Sequence, residues 1–432
     1  MDSFTVRVEK MVYGGDALAY HEGKPRLERG KPVFVPFVLP GEVVEVFPVE
    51  ESRKLIRALP GAVREAAGER IEAPCPYFGR CGGCQYQHLP YEKQVRLKGE
   101  LLRETLRRLG RLDWKDEIPA HPSPPWNYRN RIQLKLAPHP TLADTLAVGF
   151  YRAGSHALEP VEECPLSSPK LNQLIAVLNR LSRERALPRS LRGLEAFVDD
   201  RDHTLWLTLA SPRLDYDRAA LTEHLRTALD GLLSLRFLET STGRSQTDGL
   251  GWIYSQAGPH RLRVSHGSFF QVNRHLAPLL PERVIENLEG KVALDLYAGV
   301  GLLARALAEK FPRVVAVESN PEVVADLEAN LADLEQDMEI CVAPVLDFLR
   351  LHPEKCDAVV LDPPPAGLER GVAEALTELA PPRLLYLSCD PATLARDLAR
   401  LAPAYRLTSL EFIDLFPQTF HIEALARLER AG

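Results

Sequence analysis

Val292-Ala-Leu-Asp-Leu-Tyr-Ala-Gly-Val-Gly301 is an apolar run that ends on a carboxylate and a tyrosine, then breaks into a glycine turn. Three comparable runs follow it: Val314-Val-Ala-Val-Glu318, Ala358-Val-Val-Leu-Asp362 and Leu384-Leu-Tyr-Leu-Ser388. Nearly continuous apolar runs belong to parallel strands buried on both faces. Segments of helical character fill the gaps, for example Pro321 to Leu334 and Pro391 to Leu401. From about Leu262 onward this alternation predicts an open, doubly wound, Rossmann-like α/β sheet. Such sheets bind ligands outside the carboxyl ends of their strands.

The glycine turn points to the ligand class. Gly299 and Gly301 let the backbone approach a bound molecule closely. Glu318 ends the next strand roughly 20 residues on, where a carboxylate suits a ribose diol. A later strand ends at Asp362-Pro363-Pro364. A lone Gly-x-Gly is as often a plain tight turn, so the flanking strand ends carry the reading. No third glycine completes a nicotinamide-type pattern, and the set suits S-adenosylmethionine better than NAD. Tyr297 is placed to lie against that cofactor, with Asp295 holding the turn.

Upstream, residues 1–62 read as short strands. Phe4-Thr-Val-Arg-Val-Glu9 alternates with period two, Gly14-Gly15 marks a turn, and two further strand-like runs follow. A small closed barrel satisfies such strands without exposed edges. Residues 63–260 form an α+β central domain opened by a cysteine-rich loop and a helix from Pro90 to Leu109. Val95, Leu102, Leu106 and Leu109 share one face of that helix, which can pack on the catalytic domain. Residues 261–432 form the catalytic domain.

Cys75, Cys81 and Cys84 stand as Cys-x5-Cys-x2-Cys among glycines. Thiolates are soft ligands, so an iron–sulfur cluster or zinc is the expected guest. Both usually take four ligands, and Cys164, which shares a Cys-Pro step with Cys75, is the candidate fourth. Spacing alone does not separate the two metals. Cys341 and Cys356 read as core thiols.

Cys389 follows the strand that ends at Ser388 and precedes a helix that begins at Pro391. A helix N-terminus favours a thiolate, and this strand end opens into the ligand crevice. A thiol there suits carbon methylation of a pyrimidine. Uracil C5 is a poor nucleophile until a thiolate adds at C6 and converts the ring to an enolate. A base must then remove the C5 proton, and Glu423 in Phe416-Pro-Gln-Thr-Phe-His-Ile-Glu423 is the candidate.

Together these motifs, with Ser268-Phe-Phe-Gln-Val-Asn273, resemble the RNA uracil-C5 methyltransferases through essentially the whole chain. Gly14-Gly-Asp-Ala-Leu-Ala-Tyr20 and Val33-Phe-Val-Pro-Phe-Val-Leu-Pro-Gly-Glu-Val-Val-Glu-Val46 resemble a TRAM domain, an OB-like RNA-binding barrel. With that domain the chain looks most like the 23S ribosomal RNA members. The resemblance implies a 4Fe–4S cluster on Cys75, Cys81, Cys84 and Cys164. It implies cofactor or base contacts from Gln271, Tyr297, Glu318 and Asp362, with Cys389 as nucleophile and Glu423 as base. Phe269 or Phe270 would stack beside a flipped-out uridine, and Tyr128, Arg129 and Arg131 would touch RNA. The chain departs from the family at four points: Ala298 replaces a cysteine, Leu302 a polar residue, Pro365 an arginine and Asp390 an asparagine. An ionised Asp390 would raise the thiol pKa.

A net charge of −6 speaks mildly against a nucleic-acid partner. Cations nevertheless crowd the segment from Lys93 to Lys115, against an acidic stretch from Lys291 to Asp347. No run reaches the length of a membrane span, and the N-terminus lacks the order of a secretory signal. The expectation is therefore a cytoplasmic monomer that acts on RNA. The alternatives are a cytidine-C5 methyltransferase and an RNA-binding factor whose catalytic domain is silent.

Overall fold

The computed structural model describes residues 2–21, 30–351 and 355–431. Strands β1 (Phe4–Met11), β2 (Asp16–His21), β3 (Lys31–Pro36), β4 (Val43–Glu51) and β5 (Ile56–Glu65) close into a barrel in the order β1-β2-β3-β5-β4. Period-two alternation sends Val6, Val8, Val33, Val35, Val44 and Val46 into its interior. The turn before β4 is tied from inside: buried Glu42 accepts the Leu39 and Ala67 N–H groups and pairs with Arg70. Because β5 runs to Glu65, the barrel extends past the expected boundary at residue 62.

Helix α1 (Tyr91–Leu109) follows the cysteine loop and packs against a helix of the catalytic sheet. Its buried face is not the purely apolar stripe read from the sequence. Gln94 and Lys98 are fully buried beside Leu101, Leu102 and Leu106, whereas Leu109 is exposed. The two polar side chains reach a loop that precedes the last strand, and those partners decide which face turns inward. A short strand, β6 (Ala120–His121), then joins the catalytic sheet.

The central sheet is built from β7 (Arg131–Pro138), β8 (Leu146–Tyr151), β9 (Leu158–Pro160), helix α2 (Pro169–Arg183), β10 (Gly193–Val198), β11 (Leu205–Ser211), helix α3 (Arg218–Ala228), β12 (Leu232–Glu239) and β13 (Ser245–Gly249). Its order is β13-β12-β11-β10-β7-β8-β9, antiparallel except for the β11/β12 pair joined through α3. Both helices cover one face. The other face presents Phe197 and Trp206 to the hairpin β14 (Trp252–Ala257) and β15 (His260–Ser265) and to the catalytic core. The expected boundary at 260/261 falls inside this hairpin, so it does not separate independent cores.

The catalytic sheet comprises helix α4 (Leu279–Ile285), β16 (Val292–Leu296), α5 (Leu302–Leu307), β17 (Arg313–Glu318), α6 (Pro321–Leu331), β18 (Asp337–Val342), α7 (Val345–Leu351), β19 (Ala358–Leu361), α8 (Val372–Leu379), β20 (Arg383–Ser388), α9 (Pro391–Leu401), β21 (Tyr405–Ile413) and β22 (Glu423–Arg430). Its order is β18-β17-β16-β19-β20-β22-β21-β6. The five strands from β18 to β20 are parallel, and β22 is antiparallel to both β20 and β21. Successive residues alternate between two cores. Leu294, Leu296, Val315 and Val317 pack with α8 and α9, while Ala293, Val314 and Ala316 pack with α4 and α5. That is why these runs are apolar throughout. Strand order reverses at β16 and β19, which opens the crevice at their carboxyl ends.

One buried ion pair ties α1 to this sheet. Lys98 Nζ lies 2.7 Å from Asp414 Oδ1 and donates to the Phe416 carbonyl at 2.9 Å, with neither charged side chain exposed. Replacing Lys98 by Met strands the Asp414 carboxylate and should cost about 3–5 kcal/mol in chemical denaturation, whereas a Lys98→Met/Asp414→Leu double variant should recover most of that loss.

Candidate active site

The turn after β16 is built for close approach. Tyr297, Gly299 and Gly301 all take positive φ, of 68°, 55° and 89°. A side chain at Gly301 would strike Leu327 of α6, while a Cβ at Gly299 would enter open space. The backbone therefore presents a bare concave edge to the crevice at Gly299. Glu318 at the end of β17 accepts the Gly299 N–H at 3.0 Å and the Asn320 N–H at 2.7 Å, so its carboxylate is aimed beside that edge. Behind the turn, Asp295 is fully buried and neither carboxylate oxygen has a hydrogen-bond partner. Burial first, then Asp362, push its carboxyl up to about 8, and Glu318 adds to the rise.

Gln271 is buried in the segment after β15. Asn130 Nδ2 donates to its carbonyl at 3.1 Å, and Ser268 Oγ donates to the buried Asp326 of α6 at 2.6 Å. Tyr297 departs from its neighbours. Its ring packs toward the α8–α9 side, with Glu369 and Asp397 nearby and its hydroxyl unpartnered.

The reactive pair is set by register. β20 and β22 are antiparallel with Ser388 opposite Ala424, so the next residue of one strand, Cys389, faces the preceding residue of the other, Glu423. Glu423 is buried at 4% exposure, and its carboxyl is raised well above the usual range by burial and then by Asp362. Asp362, following β19, is raised to about 7 by burial. The three groups form one acidic cluster at the strand ends.

The expectation of an activated thiol at the helix end is corrected. Burial first, then Glu423, Asp362 and Asp390, push the Cys389 thiol up to about 12, against its own backbone N–H. The helix end does little to offset burial and the two larger carboxyl effects, because of Asp390. It caps α9, and its Oδ1 accepts the Ala392 and Thr393 N–H groups at 2.8 and 2.9 Å. The helix-end donors are thus spent on a carboxylate next to the sulfur.

Several expected RNA contacts are corrected too. Tyr128 is fully buried and donates to the Pro417 carbonyl at 3.1 Å. Arg129 is half-buried and lies beside Cys84 and Cys164. Arg131 pairs with Glu195 and donates to the Ser268 carbonyl, over the Trp206 ring. Phe270 is 2% exposed against Phe197. Phe269, at 59% exposure, keeps a free ring.

Cys75, Cys81, Cys84 and Cys164 line one cavity together with Phe78, Gln87 and Arg129. Burial pushes the Cys81 thiol up to about 11 and the Cys84 thiol to about 12, and Cys164 adds to the rise in each. Among the described residues no group of three or more His, Cys, Asp or Glu side chains is disposed to hold a metal ion. Also among them, no helix is long and apolar enough to cross a membrane.

Sequence reasoning missed the anchors of the Phe416–His421 loop. Gln94 bridges to the Gln418 side chain and backbone at 2.9 and 3.0 Å, and Gln85 and Tyr86 donate their N–H groups to the Gln418 carbonyl at 3.0 Å each. Polar residues at helical spacing inside an apolar face, Gln94 and Lys98, were the available signal. Tyr13, whose hydroxyl meets Asp390, gave none.

Fold and site together define an α/β methyltransferase. The pattern described as tRNA (Uracil-5-)-methyltransferase matches residues 90–431. A protein of Aquifex aeolicus named an uncharacterized RNA methyltransferase is 34% identical, over 98% of this chain and 97% of its own. A 23S rRNA (uracil(1939)-C(5))-methyltransferase of Shewanella amazonensis is 31% identical, over 98% and 95%. The Pyrococcus abyssi tRNA (uracil-54, C5)-methyltransferase, solved with S-adenosyl-L-homocysteine, superposes with a TM-score of 0.78 over 98% of this chain and 99% of that one. At 24% identity that likeness is one of fold. The chain belongs to the tRNA (Uracil-5-)-methyltransferase family and is an RNA uracil-5 methyltransferase.

Iodoacetamide modification of Cys389, followed by peptide mapping, should rise about tenfold per pH unit through pH 9, because only the thiolate reacts. A plateau near pH 7 would show that the helix end outweighs burial and the carboxylates.

Proposed function

We propose that this enzyme methylates uridine C5 in RNA from S-adenosylmethionine, with 23S rRNA as substrate. The observation that carries the reaction is the β20/β22 register, which sets a thiol against a carboxyl raised toward the working range of a general base. The 31% identity to a 23S rRNA enzyme and the N-terminal barrel support the substrate.

S-adenosylmethionine supplies the methyl group when bound. The open edge at Gly299, with Gly301, Glu318, Gln271 and Asp362 as its candidate contacts, fits it: bare backbone beside a carboxylate suits an adenosine ribose, whereas the Tyr297 ring lies on the α8–α9 side. Cys389 Sγ adds to uracil C6 as the thiolate, and its proton leaves through the Asp362–Glu423 pair to solvent, so that Glu423 is ionised again before the C5 proton is removed. Addition leaves an enolate with C5 as its nucleophilic carbon. Once C5 carries the methyl group, Glu423 takes the C5 proton, the C6–S bond breaks and the thiol is restored. Burial raises both Asp362 and Glu423, and Asp362 raises Glu423 further, so the pair can hold a proton that an exposed carboxylate would give up. Phe269 offers a ring to a base lifted from its stack.

A 4Fe–4S cluster on Cys75, Cys81, Cys84 and Cys164 is the structural part of this proposal. Arg129 supports the fit: it stands half-buried on the wall of that cavity, and its Nε is shielded from solvent with no partner. A cation shielded from water wants an anion beside it, and thiolates holding a cluster provide one. When bound, such a cluster supplies thiolate bonds that tie residues 75–84 to Cys164.

Tritium release from rRNA labelled at uridine C5 tests the chemistry. Release should depend on S-adenosylmethionine and vanish in Cys389→Ala, while Glu423→Gln should turn over about 10²–10⁴-fold more slowly and accumulate a detergent-stable protein–RNA adduct. Release only from cytidine-labelled RNA, or none, would overturn the uridine reading. Anaerobically purified protein should be brown with about four irons per chain, and stoichiometric zinc would refute the cluster.

A further inference from the structure

We infer that Tyr13, a residue of the N-terminal barrel, is a positioning residue of the methyl-transfer site, holding Asp390 and through it setting the surroundings of the Cys389 sulfur. The inference rests on the proposed role of Cys389. Tyr13 lies in the turn between β1 and β2, and its hydroxyl donates to Asp390 Oδ2 at 3.0 Å across 377 positions of sequence. The other oxygen of that carboxylate is taken by two N–H groups of α9. Tyr13 therefore completes the coordination of a carboxylate adjacent to the nucleophile.

The contact is held in place from both sides. The Tyr13 ring meets Phe420 edge-on at 5.9 Å, in the loop that leads to Glu423. Gly15, two residues on, has φ +93°, and a Cβ there would press on Gln85 at 2.8 Å and face Phe420 at 3.6 Å. This turn of the barrel is thus seated between the end of the cysteine loop and the catalytic loop. Burial, then Asp390 and Cys389, raise the phenol further above its ordinary range, so it stays a donor at every working pH.

The groups acting on the sulfur come from four elements: Glu423 at the head of β22, Asp362 after β19, Asp390 at the head of α9 and Tyr13 from the barrel. Asp390 is also faced by His421 from the loop and by Arg396 within α9. The three carboxyls all oppose a thiolate. Tyr13 is the neutral donor among them, and a hydrogen bond to an ionised carboxylate draws charge off the group nearest the nucleophile in sequence.

The test is a double-mutant cycle on the full-length, metal-loaded protein, read by iodoacetamide modification of Cys389 against pH and by kcat/KM for RNA methylation. Tyr13→Phe should move the Cys389 alkylation profile to higher pH and lower the rate at pH 8 by about threefold to tenfold, since one pKa unit is a tenfold change in thiolate. Asp390→Asn should move it the other way, and in that background Tyr13→Phe should have no further effect on the profile. Equal losses of kcat/KM in both backgrounds with an unmoved alkylation profile would reduce Tyr13 to a barrel contact and overturn the inference. Should Tyr13→Phe fail to fold, an Asp390→Asn protein with an unshifted profile overturns it alone. The alkylation arm needs no RNA, so it can fail or succeed whether or not uridine is the substrate.

Discussion

β22 runs against the grain of an otherwise parallel region, inserted between β20 and β21. A parallel neighbour would carry its N-terminal end to the opposite edge of the sheet. An antiparallel one brings Glu423, its first residue, to the edge where β16, β19 and β20 deliver the Gly299 turn, Asp362 and Cys389. One reversal of chain direction thus gathers the cofactor turn, the thiol and the base at the same strand ends. The fixed two-residue period of the pairing leaves no freedom in which side chain meets the sulfur.

That geometry depends on the loop that feeds β22. Gln418 sits at φ +69°, an uncommon conformation for a side-chain-bearing residue, and the surrounding protein holds it there. Gln94 and Lys98 of α1, Gln85 and Tyr86 at the end of the cysteine loop, and the Tyr128 hydroxyl all bond to residues 414–418. The anchors come from three stretches of the chain: the end of the cysteine loop, α1 and the segment around Tyr128. The cysteine loop therefore has a mechanical connection to the base through two peptide N–H groups.

Electrostatically the site is a concentration of acids. Asp295, Asp362, Glu423 and Asp390 lie within one another's influence or that of the thiol, and burial raises the first three. Such an arrangement disfavours a resting thiolate and favours carboxyls able to exchange protons near neutrality.

The sequence by itself determined the parallel core and the glycine turn, and it singled out the residues proposed to react. Local signals suffice for these: Pro391–Leu401 begins and ends where the helical pattern does, and the apolar runs at 292, 314, 358 and 384 become strands because each side of the sheet must be buried. Motif residues such as Cys389 and Glu423 carry their chemistry in their type and spacing. Tertiary structure alone decided their environment. Whether Arg129 meets solvent or a ring of thiols, whether Phe269 or Phe270 turns outward, and whether a helix end activates Cys389 or is consumed by Asp390 depend on residues dozens to hundreds of positions away. Burial and charge coupling are properties of assembled neighbours, and a pattern read along one chain does not contain the distance from Tyr13 to Asp390.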